Sequence, residues 1–216
     1  MSDKNQLLLF DKIQLLADGY RKNLAAKIDL RTQEMEDDVT DHFLIYRVLG
    51  ISVAEGKKID LYQNKGRFLY KYAGSFLEEA AKTCLQWKFP NAVSRSIPNT
   101  ESSRPKRFEI DCVYQGKAVE IKWREATTDG DHITKEHGKL LAIGKAGLIP
   151  IRVMFYYHQR EQAIRIQKVM SDLYCNAGGF YYFGNAAWQF IEKESTIDLF
   201  DILNKIAENN EKTTCK

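Results

Sequence analysis

Arg107-Phe-Glu-Ile-Asp-Cys-Val-Tyr-Gln-Gly-Lys-Ala-Val-Glu-Ile-Lys-Trp-Arg124 is the stretch whose reading decides the fold. Phe108, Ile110, Cys112 and Tyr114 alternate with Glu109, Asp111 and Val113. Beyond Gln115-Gly116, Val119, Ile121 and Trp123 alternate with Glu120, Lys122 and Arg124. Alternation with period two marks a half-buried strand, and Gln-Gly suits a hairpin turn in which Gly takes positive φ. The segment therefore reads as two antiparallel strands, about 108–114 and 118–124. A two-residue loop pairs Tyr114 with Lys117. That register sets Asp111 opposite Glu120 and Glu109 opposite Lys122, all on one face. A three-residue loop would shift the pairing by one unless a bulge restored it.

Opposed carboxylates on a sheet repel. A divalent cation between them relieves the repulsion, and Mg²⁺ takes oxygen ligands, usually one or two carboxylates with waters and phosphate oxygens. Lys122 lies on the same face as Glu120, about 6.7 Å along the strand, within reach of an attacking water and a phosphate. An acid followed by acid-x-Lys on the next strand is what metal-assisted phosphodiester hydrolysis needs. Acid-x-Lys alone is unspecific. With 29 acidic residues and 21 lysines in 216 positions, chance supplies roughly three matches. The other match, Glu55-Gly-Lys57, reads as a Gly-containing turn with no acid-bearing strand before it. The competing reading of the hairpin is a solvated charged face at a sheet edge.

Asp111 followed by Glu120-x-Lys122 on consecutive antiparallel strands resembles the PD-(D/E)xK nuclease superfamily, with Ile110 where the literal Pro would stand. Arg124-Glu-Ala-Thr-Thr-Asp-Gly-Asp-His132 and Ile151-Arg-Val-Met-Phe-Tyr-Tyr157 resemble the ApaLI-type restriction endonucleases over most of the chain. The resemblance implies an α/β fold: a restriction-endonuclease-like core with a mixed central β-sheet flanked by helices, plus an N-terminal helical extension. It also implies Mg²⁺, a palindromic DNA target (GTGCAC for the narrower family) and products with 5′-phosphates. A helix ahead of the hairpin often presents a Glu to the metal in this superfamily. Gly74-x-x-x-Glu78 resembles that arrangement, which favours Glu78 over Glu79 as a third carboxylate.

Length suits one domain, with 1–65 as a helical extension of the same domain and 66–216 as the nuclease core. No apolar run approaches a membrane span, and Met1–Gly19 lacks the layout of a secretory signal. The four cysteines, Cys84, Cys112, Cys175 and Cys215, form no C-x-x-C pair, so the expected setting is a reducing cytoplasm. Net charge is +3 overall but +5 over residues 89–170 and −3 over 171–216. The modest basic excess surrounds the hairpin and suits a phosphate-backbone partner; a solvated basic face is the competing reading.

Apolar periodicity predicts helices over 6–28, 34–49 and 66–87, the second with an acidic first turn, and an irregular segment over 51–65. Residues 89–106 read as a Pro- and Ser-rich connection containing a short strand at 93–97. Its Arg95, Arg104 and Lys106, with Arg107, suit phosphate contacts. After the hairpin, Asp131 or Thr134 caps a helix reaching about Ala146. Arg124, Thr128, Asp129, His132, Lys135 and Lys139 are candidates for DNA contact. A strand at 149–157, a helix at 161–173 with Ile164 and Val169 on its buried face, and a short strand at 180–183 follow. Phe180–Phe183 and Trp188 read as core. A helix opens at Asn185, a last helix is capped by Ser195 or Thr196, and 208–216 reads as a frayed tail.

Three functions compete: a Mg²⁺-dependent Type II restriction endonuclease, a structure-selective nuclease of the same fold, and a non-catalytic DNA-binding module. The first has double-stranded DNA as substrate, a homodimer to match a palindrome, and a partner methyltransferase acting on the same site.

Overall fold

The computed structural model describes residues 3–100, 104–124 and 130–214. Its elements in chain order are α1 (Asp3–Glu36), α2 (Phe43–Val48), α3 (Val53–Lys88), β1 (Val93–Pro98), β2 (Arg107–Tyr114), β3 (Lys117–Lys122), α4 (Gly130–Lys145), β4 (Ile149–Met154), α5 (Glu161–Asn176), β5 (Phe180–Phe183), α6 (Asn185–Ser195) and α7 (Leu199–Thr214). The strands form one sheet in the order β1-β2-β3-β4-β5. β1, β2 and β3 pair antiparallel, whereas β3, β4 and β5 pair parallel. Parallel neighbours need long crossovers, and α4 and α5 supply them. The chain is thus α/β, with a mixed sheet flanked by helices and a helical N-terminal region. No helix among the described residues is long and apolar enough to cross a membrane.

Gln115 and Gly116 take φ of 45° and 75°, the two positive values of the tight hairpin turn whose twist matches its strands. Tyr114–Lys117, Val113–Ala118 and Cys112–Val119 pair across it, which is the register of a two-residue loop. The ladder ends there, so the Glu109–Lys122 pairing is not formed; Glu109 lies instead beside Ser96 of β1. The cause is a bulge in β2. Val113 pairs with Val93 but Ile110 with Arg95, so three steps on β2 match two on β1. A bulge bends and twists its strand. Phe108 and Ile110 consequently pack with Ala142 and Ile143 of α4. Tyr114 instead stacks on Phe89 and donates a 2.9 Å hydrogen bond to Glu194 of α6.

β3 departs from the half-buried pattern. Ala118, Val119, Glu120 and Ile121 are all buried, because a central strand with helices on both faces has no solvent side. Lys117 Nζ lies 2.5 Å from Glu194 Oε2 and completes a cluster with Tyr114. Burial resists the charge on Glu194, but Lys117 and Tyr114 outweigh it and hold the carboxyl below its usual value of 4.5. A depressed carboxyl adds stability that is complete above the unfolded value and is lost as pH falls through the folded one. We therefore expect the Tm gap between the native chain and Glu194→Gln to shrink between pH 5 and pH 3, as thermal melts will read.

The helical N-terminus differs most from its periodicity. α1 runs unbroken to Glu36, so Glu34 and Glu36 sit at the end of one helix rather than the start of another. Arg31 there reaches Glu34 and Asp38. Only Phe43–Val48 of the second predicted helix forms; Phe43 is buried, while Val39 and Leu49 are largely exposed. Residues 53–65 are helical, not irregular. Ser52 Oγ accepts the Glu55 amide at 3.2 Å, the N-cap bond of a Ser-x-x-Glu start. Gly56 stays inside the helix because a Cβ there would lie 2.6 Å from the Tyr46 ring. By internal contacts the chain forms two compact units: Met1–Ile13 with Leu77–Lys216, which holds the sheet, and Gln14–Phe76. Residue 66 lies within α3.

Smaller differences fall in the C-terminal half. α4 begins at Gly130, which puts Asp131 and Thr134 inside the helix rather than at its cap. β4 ends at Met154. α5 buries Ala163, Gln167, Met170 and Tyr174, while Ile164 and Val169 are exposed. Phe180 and Phe183 are about half exposed, since β5 is an edge strand rather than part of the core. Asp198, not Ser195 or Thr196, caps α7 through the Asp201 amide, and α7 continues to Thr214 in place of a frayed tail.

Candidate active site

The bulge that stops the β2–β3 ladder is what builds the site. Asp111 lies at the break, and its Oδ2 accepts the Ile121 amide at 2.7 Å. Continued in register, that amide would face Ile110 on β2; the carboxylate takes it instead and is drawn against β3. Lys122 Nζ lies 3.2 Å from the same Oδ2 and 2.6 Å from Glu120 Oε1. Glu120 Oε2 pairs with Lys139 of α4. Asp111, Glu120 and Lys122 are thus in direct contact, with Glu120 held between two ammonium groups.

Lys139 is among the DNA-contact candidates by sequence, yet it is buried inside this cluster. Position decides this: α4 packs over the sheet, and residue 139 is on the packed side. Glu78 on α3 pairs with Lys82 at 3.7 Å and lies in the field of Asp111, Lys122 and Glu120. Glu79, the next residue, is exposed.

The three acids differ in charge balance. Burial opposes ionisation of Glu120, but Lys122 and Lys139 outweigh it and hold its carboxyl at about 2. Burial, then the Glu120 charge, pushes the Asp111 carboxyl up, only partly countered by Lys122, the Ile121 amide and Lys139. Burial, then Asp111, likewise raises Glu78. Burial opposes the Lys122 charge, but Glu120 and Asp111 raise its pKa on balance, so it is an ammonium at neutral pH. Asp111 and Glu78 are thus the two carboxyls whose ionised form the fold disfavours, chiefly through burial.

A buried layer behind the cluster sets where α4 lies. Arg152 on β4 is the register partner of Glu120 and is 2% exposed. It donates to Glu136 Oε1 at 2.9 Å, and the Tyr174 hydroxyl of α5 donates to the same oxygen at 2.5 Å. Glu136 and Lys139 are three apart on α4 and share a face. Anchoring Glu136 on Arg152 thereby delivers Lys139 to Glu120. Sequence reasoning missed Arg152, Glu136 and Tyr174. A signal was available: Arg152 interrupts an apolar strand, and a charge in a central strand needs a buried partner.

The model of the ApaLI-like restriction endonucleases matches residues 2–208, nearly the whole chain. The chain belongs to the ApaLI-like restriction endonuclease family. No curated protein and no solved structure gives a significant match. Membership makes the chain a nuclease whose substrate is DNA.

Restriction endonucleases typically use a divalent metal. Among the described residues no group of three or more His, Cys, Asp or Glu side chains is already drawn into ligating positions. The donor chemistry nevertheless fits a hard cation. Glu78, Asp111 and Glu120 offer only oxygen, and a cation beside Asp111 and Glu78 would favour the ionised forms that burial disfavours. Asp111 Oδ2 holds two hydrogen bonds, while its Oδ1 has none among the described residues.

For an ApaLI-like enzyme the other basic candidates are dispersed. Arg95 is exposed on edge strand β1, and Arg104 and Lys106 are exposed ahead of β2. Arg107 is also exposed but is tied to Ser96 by two 2.8 Å hydrogen bonds. Arg124 is exposed just after β3, Lys135 is exposed on α4 and His132 is half-buried. Thr128 and Asp129 lie outside the described residues.

Proposed function

We propose that the chain is a Mg²⁺-dependent Type II restriction endonuclease of the PD-(D/E)xK kind. In this reading it hydrolyses both strands of double-stranded DNA at a short palindrome, GTGCAC being the first candidate. The observation that carries this reading is the joining of Asp111, Glu120 and Lys122 at the β2 bulge, with Glu78 in their field. Asp111 and Glu120 would hold the metal, with Glu78 assisting directly or through water. A bound Mg²⁺ supplies Lewis-acid charge neutralisation and a more acidic water. Lys122 orients the attacking water and neutralises the phosphate oxygens as negative charge builds in the transition state. Lys139 keeps the Glu120 side chain in place. In-line attack of water on phosphorus that breaks the P–O3′ bond, with the 3′-oxygen leaving as a hydroxyl, gives 5′-phosphate and 3′-hydroxyl ends.

A palindrome calls for a two-fold dimer in which each protomer cuts one strand, and such an enzyme is expected in the cytoplasm beside a methyltransferase that protects the same sequence. The helical residues 1–65 belong functionally with the nuclease core in this reading.

Incubating the full chain with long mixed-sequence DNA and Mg²⁺, then sequencing the fragment ends, tests the reading. Discrete ends sharing one palindrome are expected, and GTGCAC at those ends would fix the narrower assignment. Cutting only at branched DNA would replace the reading with a structure-selective nuclease.

A further inference from the structure

The C-terminal ends of the parallel pair β3 and β4 open into a cleft of about 450 Å³ lined by Trp123, Arg124, Tyr156, Tyr157 and Gln159. In α/β sheets, ligands bind outside the carboxyl ends of parallel strands. This cleft adjoins the active site along the backbone: Trp123 is the residue after Lys122, the Phe155 amide donates to the Lys122 carbonyl at 3.0 Å, and the Tyr156 amide donates to the Trp123 carbonyl at 2.9 Å.

Tyr156 and Tyr157 are 47% and 39% exposed, yet both rings are braced from behind. Tyr156 meets Trp188 edge-on at 6.0 Å, and Trp188 in turn packs on Phe155 and Phe200. Tyr157 leans on Phe183 of β5 at 4.5 Å. The Arg124 guanidinium lies 5.8 Å from the centre of the Trp123 ring. Exposed aromatic faces fixed in place lose little conformational entropy on contact with a flat partner. A guanidinium and a carboxamide, the latter on Gln159, add hydrogen-bonding groups suited to the edge of a heterocycle.

Resting on the nuclease reading of the neighbouring site, we propose that this cleft binds one nucleobase of the substrate strand, unstacked from its neighbours, next to the phosphate held at Lys122. Intact duplex presents base edges rather than base faces, so stacking on Trp123 or Tyr157 requires the base to leave the stack. Base-on-aromatic stacking tolerates any base; Arg124 and Gln159 then bias the choice. The cleft thereby couples local opening of the duplex to placement of the scissile phosphate.

The test uses the full chain in EDTA, so that nothing is cut. Eight-nucleotide oligothymidylate is compared with an abasic oligomer of equal length and charge, by anisotropy and by tryptophan emission. We expect the base-bearing strand to bind roughly tenfold tighter than the abasic one and to quench emission. Trp123→Ala and Tyr157→Ala should each remove most of that preference while binding the abasic oligomer as the native chain does, which also reports that the variants are folded. Equal affinity for the two oligomers, or a preference that survives both substitutions, would overturn the proposal. A native chain that shows no base preference yet cuts DNA with Mg²⁺ sinks the cleft and spares the nuclease reading. A native chain that shows the preference, lost in both variants, yet never cuts DNA does the reverse.

Discussion

Lys122→Ala is expected to lower cleavage by about three orders of magnitude, the scale of removing a positioned proton-transfer or charge-stabilising group, while leaving DNA affinity within a few-fold of native. The reason is where the ammonium sits. It bridges Asp111 and Glu120, with a side chain that is 29% exposed at the mouth of the cluster. A DNA-binding protein neutralises several phosphates, so the share of binding carried by one ammonium is small. Single-turnover cleavage at saturating enzyme separates the two effects. A variant that cuts normally would show that Lys122 is only a counter-ion for the two acids. A variant that no longer binds DNA would place it in general backbone recognition.

Asp111→Asn and Glu120→Gln should both abolish cleavage but move stability in opposite directions. Burial and the Glu120 charge make the ionised Asp111 unfavourable in the metal-free fold, so the neutral isostere raises Tm in EDTA. Its carbonyl oxygen still accepts the Ile121 amide. Glu120 is the reverse case: its ionised form is strongly favoured by Lys122 and Lys139. Removing that charge leaves Lys139 buried without its partner, and breaking a buried pair from one side costs roughly 3–5 kcal/mol. For a chain of this size that lowers Tm on the order of 10 °C. Scanning calorimetry of the three proteins in EDTA reads both signs. Repeating it with Mg²⁺ should raise the native Tm more than that of either variant, because a cation bound only by the folded state stabilises it. Equal Tm values for native and Asp111→Asn proteins in EDTA would mean that the repulsion at Asp111 is already neutralised.

The meeting of Asp111, Glu120 and Lys122 was legible in the chain, for a physical reason. Asp111, Gln115-Gly116, Glu120 and Lys122 lie within twelve residues, and hairpin register is fixed by local turn chemistry. What local pattern could not supply was the bulge in β2. It depends on β1 pairing from the other side, and it replaces the Asp111–Glu120 cross-strand pair with a carboxylate bound to the Ile121 amide. Lys139, Arg152, Glu136 and Tyr174 join the site only through packing of α4 and α5 on the sheet, and no sequence spacing connects them to Glu120. The N-terminal helices fail differently. Gly56 reads as a turn and residue 66 as a helix start, yet α3 runs through both. At Gly56 close packing against Tyr46 and Phe43 gives the glycine its own reason, and the Ser52 cap outweighs the glycine penalty. Phe180 and Phe183 are half exposed rather than core, because aromatic content alone does not tell a central strand from an edge one.

The most direct test of the carboxylate–lysine cluster as the hydrolytic centre is Mg²⁺-dependent cleavage of supercoiled plasmid by native and Asp111→Asn chains at matched DNA occupancy, with EDTA controls. Linear product is expected from the native chain with Mg²⁺, none in EDTA, and none from Asp111→Asn despite retained binding and a raised Tm. Undiminished cutting by Asp111→Asn would contradict it, because the chemistry would then have to lie away from β2 and β3.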